Sequence, residues 1–151
     1  MTSVRYDTAP VHRRHPISAR VVQFPIVCFT LTLFTDLAYW RTANLMWQNF
    51  SSWLLFAGLI TGVLAIVAGL LDLLFGETAG PRRSIWPTVI GGLIVLVLAF
   101  LNSLIHAGDG WTAVVPWGLT LSVATVVVII ATDAFDTTSR GRTAKRGDDH
   151  A

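Results

Sequence analysis

The chain has 151 residues, 53% of them hydrophobic and only 13% charged, with a formal net charge of +2. A soluble domain carries roughly a quarter charged residues, so about half the usual charge is present and a water-soluble globule is excluded. A single cysteine, Cys28, excludes a disulfide framework and a thiolate metal cluster. What remains is an integral membrane protein.

Residues 1–14 read as a polar cytoplasmic tail. They precede an apolar run with no small-residue cleavage site, so the first helix is expected to stay in place as a signal anchor. A transmembrane domain is expected over residues 15–136, built from four helices at about 20–40, 53–75, 86–105 and 114–134. At about 1.5 Å rise per residue each crosses a hydrocarbon core of roughly 30 Å. The fold class is therefore all-α: an antiparallel four-helix bundle in the membrane. The run "VVVII" in the fourth segment would suit a strand in water, but an open strand in lipid leaves backbone groups unpaired.

Within the first helix, Pro25 removes one backbone bond and is expected to bend the helix or mark its true start. Cys28 suits a small packed apolar position. The helix closes on "TDLAYWRT", where Tyr39 and Trp40 fit an interfacial anchor. In the second helix Gly58, Gly62, Ala65 and Gly69 share one stripe, and small residues are what let helices approach in lipid. Gly92, Ala99, Ser103 and His106 share a face of the third helix with Asn102 beside them, and Gly118, Ser122, Thr125 and Thr132 line the fourth. Bundle packing is the plain reading of these small residues; a homodimer contact or a cofactor groove is the alternative. The tail 137–151, "TTSRGRTAKRGDDHA", is basic and nearly free of apolar residues, which predicts disorder.

Charge fixes an expected orientation. Of eleven Lys and Arg, all but Arg41 lie before the first helix, between the second and third, or after the fourth. The positive-inside rule places those segments, and both termini, in the cytoplasm. The basic residues point to anionic lipids at that face rather than to nucleic acid. Trp40, Trp47, Trp53, Trp111 and Trp117 gather on the opposite side, as an aromatic interface belt does.

Asp36, Asp72 and Asp133 each stand near the C-terminal end of a helix, where the macrodipole disfavours a carboxylate by about 0.3–1 kcal/mol. Each therefore needs a partner. An outer cluster of Asp36, Arg41, Asn102, His106 and Asp109 is expected, with Arg41 and His106 neutralising Asp36 and Asn102 close by. On the inner side His15, Asp72, Arg82, Arg83 and Asp133 form a second candidate cluster. The outer corner reads as a structural ion pair or, alternatively, as a proton or ligand site. Catalytic and metal-ligating constellations are lacking in the pattern. Haem is weighed and set aside: His15 and His106 fall at opposite faces, and no histidine lies in a helix middle.

Four stretches, "HPISARVVQFPI", "TDLAYWRTANLMW", "SSWLLFAGLITGVLAIVAGLLD" and "LNSLIHAGDGWTAVVPWGLTLS", together resemble bacterial predicted membrane proteins of the domain of unknown function 2231 family, in order over roughly residues 15–130. The resemblance implies a four-helix inner-membrane protein and supplies no activity. Two departures stand out. Gln23 occupies a position where many members have a histidine before Phe-Pro-Ile, and "ATDAFDTTSRGRTAKRG" replaces their Gly-rich ending. Both count against haem. The expected role is non-enzymatic: structural, or accessory to a larger membrane complex, with a homodimer possible. The alternative is a small carrier of protons, ions or electrons, linked to haem or quinone, working through polar residues at the helix ends.

Overall fold

A computed structural model gives the fold and describes residues 21–75, 86–108 and 114–148, without the side chains of 73, 75 and 139–148. Among the described residues the chain is all-helical: α1 (Gln23–Thr42), α2 (Leu45–Phe75), α3 (Trp86–Ala107) and, after a kinked segment (Val114–Gly118), α4 (Leu119–Asp148). Three segments among the described residues are long and apolar enough to cross a membrane, Leu45–Asp72, Trp86–Ala107 and Val114–Thr138. The sequence reading counted four such spans; α1 differs because Thr30, Thr32, Thr35, Asp36 and Arg41 dilute its apolar residues. Its hydroxyls are nonetheless paired within the helix. Thr30 donates to the Ile26 carbonyl at 2.8 Å, Thr32 to Cys28 at 3.0 Å and Thr42 to Ala38 at 2.7 Å.

Pro25 sits in the first turn of α1, where a missing N–H costs least, and the residue before the helix, Val22, already has helical backbone angles (φ −64°, ψ −22°). The turn after α1 is far shorter than the dozen residues expected. Ala43 takes the left-handed conformation (φ 49°) and its N–H returns to the Tyr39 carbonyl at 2.7 Å. Asn44 then caps α2, its Oδ1 accepting the Met46 N–H at 3.0 Å. With both helix ends capped in two residues, α2 begins at Leu45 rather than near Trp53. Before α4, Val115 is extended (φ −122°, ψ 120°), as the residue before Pro116 is biased to be. The regular helix therefore starts at Leu119.

The fourth helix, expected to end near residue 134, runs on to Asp148, so residues 137–148 of the tail expected to be disordered are helical. Thr137 and Thr138 return their hydroxyls to the Ala134 carbonyl, and the Arg, Ala and Lys that follow are good helix formers. The polar N-terminal tail lies outside the described residues.

The helix α1 packs chiefly on α2 and α4, and α3 on α4 and α2. Buried residues form one stripe per helix: Pro25, Cys28, Phe29, Thr32, Asp36 and Tyr39 on α1, and Ser51, Leu55, Gly58, Gly62 and Ala65 on α2. On α3 the stripe is Gly91, Val95, Ala99, Asn102 and His106. Phe29, Leu55, Val95 and Ala99 make the apolar centre.

Of the small residues singled out, Gly58 lies against the Phe29 ring, and a Cβ there would stand 2.5 Å from Cε1. A Cβ on Gly62 would stand 2.5 Å from Leu96 Cδ2, and Ala65 is buried. Gly69 and Gly92 have nothing within 4 Å of such an atom. The close approach on α3 is made by Gly91, which faces the Thr132 side chain. A one-residue difference in α3 rotates a position by about 100°, enough to move it off the packed stripe.

A buried polar knot at one end of the helices

Asp36 lies six residues before the end of α1, about 9 Å along the axis, and is fully buried. Its carboxylate is met from all three other helices. Ser51 on α2 donates to Oδ1 at 2.6 Å, and Ser122 on α4 donates to Oδ2 at 2.5 Å. From α3, His106 Nε2 lies 3.0 Å from Oδ1.

The short turn explains why Ser51 is there. Asp36 stands seven residues before Ala43, and Ser51 seven after Asn44. Two helices folding back at that turn bring equal offsets to the same level.

Around this core runs a second layer. The Thr35 hydroxyl lies 2.7 Å from Ser51 Oγ and also reaches the Thr32 and Leu31 carbonyls of its own helix, at 2.9 and 3.1 Å. Asn102 Nδ2 donates to Ser122 Oγ at 2.7 Å, which in turn donates to Asp36. That order fixes the Asn102 amide: its nitrogen faces Ser122, and its Oδ1 is left buried with no hydrogen-bond partner. Gly118 borders this oxygen; a Cβ there would stand 3.4 Å from Oδ1 and 3.1 Å from His106 Cε1.

The proton count follows from geometry. His106 Nδ1 lies 3.0 Å from the Asn102 carbonyl oxygen, which can only accept, so Nδ1 carries hydrogen. Nε2 faces a carboxylate oxygen, so one proton lies between them. The pair is neutral in sum, and with Ser51, Ser122 and His106 all aimed at the carboxylate the arrangement is that of imidazolium and carboxylate.

Of the expected outer cluster, the fold thus brings together Asp36, Asn102 and His106. Arg41 stands apart: it is exposed, its guanidinium 5.2 Å from the Trp40 ring centroid. It points out of the helix packing, and the imidazole takes the place assigned to it. Asp109 lies outside the described residues, as do His15, Arg82 and Arg83 of the inner cluster. Asp133 is exposed on α4 and Asp72 half-buried on α2.

Ser51 is the member of the knot that sequence reasoning missed, because it fell in an assumed loop. Asn44 is the signal that would have found it. Ser122 was visible only as a packing residue.

With this geometry in hand, comparison with known proteins adds one match. The family described as "Predicted membrane protein (DUF2231)" matches residues 14–135. Neither a curated protein nor a solved structure matches the chain. The match spans all four helices up to the apolar end of α4, and the chain belongs to this family of predicted membrane proteins.

Proposed function

We propose that this is a non-enzymatic, cofactor-free protein of a bacterial inner membrane, an antiparallel four-helix bundle with both termini in the cytoplasm, accessory to a larger membrane complex. The observation that carries the reading is the closed knot: the Asp36 carboxylate is held by Ser51, His106 and Ser122 from the three neighbouring helices, so its chemistry is spent inside the protein. Support for the bundle comes from the same bonds, which tie the end of α1 and α3 to the start of α2 and α4. Support for a lipid setting comes from the outer surface, where Phe34, Val63, Leu64, Leu70, Val97, Phe100 and Ile130 are all exposed. Exposed Trp40, Trp53 and Trp117 flank the knot, as an interfacial belt would, and the basic segments favour the other side as cytoplasmic.

Affinity purification of the tagged full chain from native membranes in a mild detergent tests the accessory role. A stoichiometric partner that survives washing is expected; a chain recovered alone contradicts it. Reporter fusions test the orientation, and an active periplasmic phosphatase fused at residue 140 would overturn it.

A second reading, a carrier of protons, ions or electrons, has one observation in its favour: the proton held between Nε2 and Oδ1. A haem absorption band in the purified protein would replace the accessory reading with an electron-carrying one.

A further inference from the structure

The unpartnered Asn102 Oδ1 is unusual for a buried amide, since nearly all buried polar groups find a partner. It sits at the far end of a string of three groups, Asn102, Ser122 and Asp36, in which every hydrogen points toward the carboxylate. We propose that this string is a reversible relay through which Asp36 Oδ2 binds a second proton. It goes beyond an assembly role and does not depend on a partner being found.

In the arrangement present, Nδ2 donates to Ser122 Oγ and Ser122 donates to Oδ2. Adding a proton to Oδ2 removes that acceptor and creates a donor. The new O–H then donates to Ser122 Oγ, and the Ser122 hydrogen turns toward Asn102. A half-turn of the amide presents Oδ1, the unused acceptor, to receive it. The string holds two hydrogen bonds in either direction. The balance is simple: hydronium gives one proton to the Asp36 carboxylate and leaves as water, no electrons move, and the site goes from neutral to one positive charge carried by His106.

Two features of the surroundings suit this. Gly118 leaves space beside the amide; even a Cβ there would only reach ordinary contact with Oδ1, at 3.4 Å. And the charged or titratable groups near Oδ2 are few among the described residues. α1 carries Asp36 itself, Tyr39 a turn further on and the outward Arg41, and α3 contributes His106. α2 and α4 present the uncharged Ser51 and Ser122.

Infrared difference spectroscopy of the full chain in liposomes, acidified in steps, reads both ends of the relay. The expected result is a protonated-carboxyl C=O band that grows as pH falls, together with a change in an asparagine side-chain amide band. Aspartate and asparagine isotope labels identify the two bands, and Asp36→Asn and Asn102→Ala assign them to residues. If Asp36→Asn does not assemble, Asp36→Glu assigns the carboxyl band by moving it. The relay is overturned if no carboxyl band appears at any pH at which the protein stays folded. It is equally overturned if that band appears while the amide bands stay fixed.

Discussion

Where α1 turns into α2, the groups between the helices are Asp36, Ser51, Asn102, His106 and Ser122; farther along they are Gly58 against Phe29, Gly62 against Leu96, and Gly91 against Thr132. Both regions hold the same four helices by different physics. The second works by proximity, since small residues let backbones approach and the gain is many weak dispersion contacts. Such contacts tolerate small slides along the axis. The first works by direction: each donor must find one oxygen, so a helix displaced by a turn loses its bond and strands a buried polar group. The comparison teaches a division of labour, in which small residues set how close the helices come and the knot sets their register.

The largest expected effect comes from breaking the knot on one side. Asp36→Leu or His106→Leu leaves the other partner buried without its counter-charge and should lower unfolding stability by about 3–5 kcal/mol, read in denaturing-detergent titrations. A loss no larger than an ordinary interhelical hydrogen bond in a membrane, about 0.6 kcal/mol, would mean the polar end has no special standing. Next in size are the close glycines. Gly58→Ala must displace the buried Phe29 ring and should cost about 1–3 kcal/mol by the same titration. Gly92→Ala is the matched control: with nothing within 4 Å, it should be neutral or stabilising by up to about 1 kcal/mol through helix propensity. If the two behave alike, the small-residue half of the comparison fails. Asn44→Ala removes the α2 cap and should cost about 1 kcal/mol. Arg41→Ala should change stability by less than about 0.5 kcal/mol, since the guanidinium lies over Trp40 and outside the knot. A loss comparable to His106→Leu would return Arg41 to the role of counter-charge.

Much of this was legible in the residues. Four helical segments followed from the apolar runs, and a buried carboxylate near a helix end had to have a partner, which led to His106. What hid the rest was local. A hydroxyl says little about its partner until the turn fixes its level, and Ser51 stood in what looked like a loop because Arg41, Thr42 and Asn44 are polar. The capping roles of Ala43 and Asn44 reduce that loop to two residues. Arg41 misled for a similar reason: closeness to Asp36 in sequence does not place it on the same helix face, since five residues turn the helix by about 500° and point the side chain outward. Gly91 and Gly92 cannot be separated by composition at all, because only the rotation of α3 against α4 decides which of them meets Thr132.

The central claim is that Asp36 and His106 act as one coupled unit that fixes the helices. A double-mutant cycle over Asp36→Leu, His106→Leu and the doubly substituted protein measures it directly. Replacing both partners with apolar side chains removes the stranded charge, so the double variant should be more stable than either single one. The cycle should show a coupling of about 2–3 kcal/mol. Additive losses, with a coupling within about 0.5 kcal/mol of zero, would contradict the account.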